Sequence, residues 1–99
     1  MRRRAVPDKL GDGEVKARLQ DVEGWELVDG KLQRLFKFAN FVDALGFMVR
    51  AGVAAEKMNH HPEWFNVYNS VKVDLTTHSA DGITELDFQL AEIMNRLAD

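Results

Sequence analysis

Two of the three histidines in this 99-residue chain are adjacent, in the run Glu56-Lys57-Met58-Asn59-His60-His61-Pro62-Glu63-Trp64. Imidazole is the only side chain whose unperturbed pKa, about 6.5, lets it give and take protons near neutrality, so a pair of rings beside fixed carboxylates points to proton transfer. The third histidine, His78, ends a second polar segment, Leu75-Thr76-Thr77-His78. Pro62 cannot continue a helix and pushes His61 toward extended backbone, so a helix arriving from Glu56 is expected to end within the His-His pair itself. Both rings would then sit at a helix C-terminus, where the negative end of the dipole favours the protonated form that a general acid needs. Successive residues of extended chain face opposite ways, so His60 and His61 are expected to do different jobs.

Other chemistries find less support. A zinc site would need all three rings to converge, yet the sequence has neither HExxH nor an i,i+4 histidine pair. Ser70 and Ser79 lie in no nucleophile elbow, and no glycine-rich loop is present to cradle phosphate. With no cysteine there is no disulfide framework, thiolate nucleophile or cysteine metal site, which fits a reducing cytosol. On spacing alone, acid–base catalysis by His60, His61 and His78 stands beside a second reading, in which the three are polar histidines placed in loops for structural reasons.

Apolar residues make up 45% and charged residues 29%, the balance of a globular domain, and the length allows one domain over 1–99 with no separate cofactor domain. Thirteen basic against sixteen acidic residues give a formal net charge of -3, which argues against direct nucleic-acid binding. Arg2, Arg3 and Arg4 resemble the start of a signal or transit peptide, but Asp8 and Lys9 follow with no apolar region between. No segment is long and apolar enough to span a membrane. The expectation is a cytoplasmic protein whose residues 1–8 form a flexible arm.

Around the histidines the patterning alternates between helix and hairpin. Val15, Leu19 and Val22 recur at helical spacing over 13–22, with Asp12 or Gly13 to cap and Gly24 to stop. Asp29-Gly30 between apolar-rich runs predicts a type I′ hairpin, with Leu32, Arg34, Phe36 and Phe38 facing the core from its second strand. Asn40, with Asp43 three residues on, caps a long second helix running to about Asn59, whose stripe is read as Phe41, Leu45, Met48, Val49, Gly52, Val53 and Ala55. Phe47, Ala51, Ala54 and Met58 lie partly outside that stripe, so the helix is either buried all round or packs its second face on another subunit. A second hairpin over 63–68 and 70–77 turns at Asn69, and His78 falls on the polar parity of Lys72, Asp74 and Thr76 if the strand stays regular. Thr84-x-x-Asp87 matches a capping box for a last helix striped by Leu86, Leu90, Ile93, Met94 and Leu97. The order α-ββ-α-ββ-α predicts an α+β fold, a four-stranded antiparallel sheet with three helices packed on one face.

The run Glu56-Lys57-x-x-His60-His61-Pro62-Glu63-Trp64-x-Asn66-Val67-Tyr68-Asn69, followed by Leu75-x-Thr77-His78 and Gly82-Ile83-Thr84-x-x-Asp87, resembles the pterin-4a-carbinolamine dehydratase family. The likeness extends upstream through Gly24-Trp25, the Phe36 to Phe38 strand and residues 41–50, and leaves the arginine-rich start outside. Asn59 stands where many members carry aspartate. The resemblance implies dehydration of 4a-hydroxytetrahydropterin to quinonoid dihydropterin in tetrahydropterin recycling, with no metal and no cofactor. By similarity, His60 and His78 are the acid–base pair and His61 holds the pterin. Glu56 would support the first imidazole or the pterin nitrogens, Trp64 would wall the site, and Asn59, Pro62, Thr77 and Asp87 complete the substrate-binding set. Pro62 has a structural role in either reading, and Asp87 has an alternative one as the N3 residue of the helix cap. The implied partners are the pterin and further copies of the chain, as a dimer or tetramer. A non-catalytic dimerisation module, like the animal members that partner a homeodomain transcription factor, is the alternative.

Overall fold

The computed structural model describes residues 7–99; residues 1–6 of the expected arm, Arg2, Arg3 and Arg4 among them, lie outside the described residues. The elements are α1 (Asp12–Leu19), β1 (Glu26–Val28), β2 (Lys31–Lys37), α2 (Phe41–Met58), β3 (Glu63–Val67), β4 (Ser70–Leu75), a 3₁₀ turn (His78–Ala80) and α3 (Glu85–Ala98). The strands form one antiparallel sheet in the order β1-β2-β4-β3, with the helices on one face, as the patterning predicts.

Asp29 and Gly30 both adopt positive φ, 50° and 78°, which is the type I′ requirement and matches the twist of the hairpin they close. The register sets Leu32 opposite Leu75 and Phe36 opposite Val71. Together with Val73 these side chains form the inner face, on which Phe47 of α2 and Phe88, Leu90 and Met94 of α3 close the core. Each such side chain contributes about 1.5–3 kcal/mol by leaving water. Arg34 shares the inward parity because its guanidinium lies 4.4 Å over the Phe36 ring. β3 turns Trp64 inward and leaves Phe65 and Val67 on the open face of the sheet.

Three local expectations need correction. The first helix begins at Asp12 behind Gly11, with no side-chain cap, and ends at Leu19. Val22 is buried from the turn that follows, where Asp21 N–H donates to the Arg18 carbonyl and Val22 N–H to that of Leu19, so tight turns mimicked helical spacing. The second helix buries Ala44, Phe47, Ala51 and Ala55 and leaves Phe41, Leu45, Val49 and Val53 exposed, largely the reverse of the stripe read from the sequence. Periodicity finds two apolar faces there without ranking them. The face with three alanines goes inside because small side chains let the helix axis approach the sheet.

The third correction concerns the end of α2. It stops at Met58, two residues before His60, because Asn59 takes the left-handed conformation (φ 52°). His60 N–H then donates to the Ala55 carbonyl and Asn59 N–H to that of Glu56, a Schellman closure that satisfies two of the free carbonyls. Asn40 caps the other end by accepting from Asp43 N–H at 2.8 Å, and Thr84 and Asp87 form the expected capping box on α3.

Candidate active site

The Schellman turn at Asn59 throws His60 and His61 to opposite sides of the chain. His60 turns in, with 7% of its side chain exposed, and His61 turns out, with 58% exposed. Pro62 then leads into β3. At the end of β4 the same alternation recurs: Thr77 is buried and bridged to Gly82, while His78 starts the 3₁₀ turn with 77% of its side chain exposed. β4 itself stops at Leu75, yet His78 still looks away from the core, as its parity predicts.

Each imidazole has its own carboxylate. His60 Nε2 lies 2.6 Å from Asp87 Oδ1, His61 Nε2 lies 2.7 Å from Glu56 Oε1, and His78 Nε2 lies 3.0 Å from Glu63 Oε2. An ionised carboxylate only accepts, so a ring facing one donates from Nε2 and keeps the opposite nitrogen, Nδ1, outside that bond.

The inner pair is the most constrained. Asp87 is fully buried and takes three donors: His60 on one oxygen, and the Thr77 hydroxyl (2.8 Å) and Thr84 N–H (2.9 Å) on the other. Thr77 and Thr84 hydroxyls are 2.8 Å apart, and Thr84 Oγ1 accepts from Leu86 N–H. Asp87, the N3 residue of the α3 capping box, is thus also the partner of His60, and both of its oxygens are taken by protein groups. The outer pairs sit in water. Glu63 also accepts from Lys31 Nζ at 2.6 Å, and that ammonium, ahead of His78, holds the Glu63 carboxyl below its ordinary range.

Of the residues singled out from the sequence, His60, Thr77 and Asp87 are directly linked, and His61 is bonded to Glu56. His78 is tied through Glu63 to the chain just beyond His61 and Pro62. Asn59 serves as the left-handed cap of α2. Trp64 packs on the core, its ring 3.9 Å from where a Cβ on Gly52 would stand. Sequence reasoning omitted Glu63, Thr84 and Lys31. Glu63 had a legible signal, since it lies two residues after His61 and so on the same side of an extended chain. Beside His78 a cleft of about 250 Å³ opens, lined by Asp29, Gly30, Thr76, Asp81 and Gly82. Among the described residues no group of three or more His, Asp or Glu side chains is placed to hold a metal ion.

Fold and site together define an α+β domain whose helix and strand ends carry a set of imidazole–carboxylate pairs. Residues 8–97 match the model of the family described as Pterin 4 alpha carbinolamine dehydratase, and the chain belongs to that family. A relative from Solibacter usitatus bearing the pterin-4-alpha-carbinolamine dehydratase name is 54% identical over 90 residues, covering 91% of this chain and 95% of its own. One from Rhizobium johnstonii with the same name is 54% identical over 93 residues, covering 92% of each. A crystal structure from Brucella melitensis, described as a transcriptional coactivator/pterin dehydratase, superposes with a TM-score of 0.90 at 48% identity, covering 93% of this chain and all of its own.

Proposed function

We propose that this chain dehydrates 4a-hydroxytetrahydropterin to quinonoid dihydropterin and water, in tetrahydropterin recycling, by histidine acid–base catalysis. The reading is supported by one observation, an Nε2 within 3.0 Å of a carboxylate at each of the three histidines, which orients each ring and keeps its Nδ1 outside that bond. In the reaction one proton goes to the C4a hydroxyl, the C–O bond breaks and water leaves. The adjacent ring nitrogen loses its proton and its electron pair closes the C=N bond. No electron is transferred to another molecule, so the balance calls for no redox cofactor. In this scheme His60 and His78 are the acid and base, and general acid–base catalysis contributes about 10² to 10⁴ in rate. His61 with Glu56 holds the pterin, and Trp64 and Pro62 border it. The exposed stripe of α2 and the sheet edges at β1 and β3 support self-association.

The purified protein is expected to turn over a synthetic 4a-carbinolamine and to retain that activity in chelator. The His60→Ala/His78→Ala double variant should lose turnover while its circular dichroism stays that of a folded chain, with His60→Gln as a companion that keeps a donor beside Asp87. Full activity in the double variant, or loss in chelator restored by zinc, overturns the mechanism. A second reading, a non-catalytic dimerisation module, is favoured by the coactivator wording of the Brucella relative and by the uncovered apolar stripe of α2. A folded protein with no turnover at all would select it.

A further inference from the structure

Lys31 opens β2 directly after the Asp29-Gly30 turn, on the open face of the sheet, and nothing in a proton-transfer scheme requires it there. Its Nζ nonetheless lies 2.6 Å from Glu63 Oε1, while the other oxygen of that carboxylate faces His78 Nε2 at 3.0 Å. The three side chains come from the starts of β2 and β3 and from the turn after β4, so only the assembled sheet brings them together. We propose that Lys31 is a positioning residue which, acting through Glu63, orients the His78 imidazole and sets how readily it takes a proton.

The physical argument is a division of one carboxylate between two cations. By taking Oε1, the ammonium fixes the rotation of the carboxylate and aims Oε2 at the ring; it also keeps the group ionised, consistent with the lowered Glu63 carboxyl. At the same time the positive charge offsets part of the pull that Glu63 exerts on an imidazolium. The other charged groups around His78 are Asp29 and Asp81, which line the same cleft, Lys9, whose side chain packs on Gly82 of that cleft, and Asp74 on β4, whose carboxylate accepts from Gln33 Nε2 at 2.8 Å. Lys31 also feels Asp74 and Asp29, after Glu63, and all three favour its charged form. Lys31 is thus the cation bonded to the carboxylate that faces His78, and its removal makes the field at that ring more negative.

The proposal rests on the reading of His78 as an acid–base group, and the test separates the two. The ring-proton NMR titration of His78 is recorded in the wild-type protein and in Lys31→Met, Lys31→Arg, Glu63→Gln and the Lys31→Met/Glu63→Gln double variant, beside the pH profile of kcat/KM. In Lys31→Met the titration midpoint moves to higher pH and the profile follows it. Turnover falls by about twofold with KM unchanged, the scale of a solvent-exposed charge contact. Lys31→Arg restores both, and Glu63→Gln moves the midpoint to lower pH. A midpoint that shifts while the pH profile stays fixed supports the relay and overturns the acid–base reading of His78. An unmoved midpoint in Lys31→Met overturns the proposal, as does a shift of the same size when Glu63 is already Gln, because Lys31 would then act directly.

Discussion

His60 and His61 are neighbours in the chain with opposite surroundings, and the difference is energetic as well as geometric. His60 is paired inside the protein with a carboxylate that has no access to water, whereas the His61–Glu56 pair is solvated on both sides. Removing one member of a buried pair strands the other, at a cost of about 3–5 kcal/mol, while a surface pair contributes about 0–1 kcal/mol. His60→Ala is therefore expected to lower the urea midpoint strongly and His61→Ala hardly at all. Kinetically, His61→Ala should weaken binding of a pterin analogue, while His60→Ala should lower kcat and kcat/KM together, as loss of a contact made only in the transition state does. Equal stability in the two variants would contradict the buried dyad. Equal loss of analogue affinity with wild-type kcat would make both rings binding residues.

Between elements, the clearest polar tie is the two-pronged bond from Arg18, near the end of α1, to Glu85 in the first turn of α3, at 2.6 and 3.0 Å. The guanidinium also lies 4.7 Å over the Phe88 ring. The hydrogen bond from Arg18, followed by its charge, holds the Glu85 carboxyl below its ordinary range against the opposing effect of burial. A carboxyl depressed in the folded state adds stability that is present above its unfolded value of about 4.3 and is lost as pH falls through the lower folded value. Because both side chains are partly exposed, the contribution is about 0.5 kcal/mol. Arg18→Met should thus be less stable than wild type near neutrality and approach it in acid, as read from urea midpoints across pH. A gap that stays constant down to pH 3 would assign the contribution to packing on Phe88.

At the scale of the molecule, α2 carries apolar surface that a single copy leaves in water. Leu45, Val49 and Val53 lie one turn apart and are 45%, 59% and 62% exposed, with Phe41 and Val42 at the same end. A second copy laid on this stripe would cover it, and the edges at β1 and β3 offer a further route. Sedimentation at micromolar concentration should give a multiple of 11.3 kDa. Val49→Glu with Val53→Glu should move the mass toward one chain without loss of helix content. A wild-type mass of one chain would refute self-association.

What the sequence determined by itself was local. Asp29-Gly30, Asn40 and Thr84-x-x-Asp87 fix a turn and two caps through the conformational limits of a few adjacent residues, and those limits hold whatever surrounds them. Alternation along β2 and β4 placed their inner faces for the same reason. Tertiary structure decided which of two apolar faces of α2 goes inside, because that depends on the distance of approach to a sheet formed from other parts of the chain. It also decided that Asp87 is both the cap of α3 and the partner of His60, and that Lys31, Glu63 and His78 meet. These contacts span 27 residues in the first case and 32 and 15 in the second, and no periodicity in one segment encodes a hydrogen bond to another.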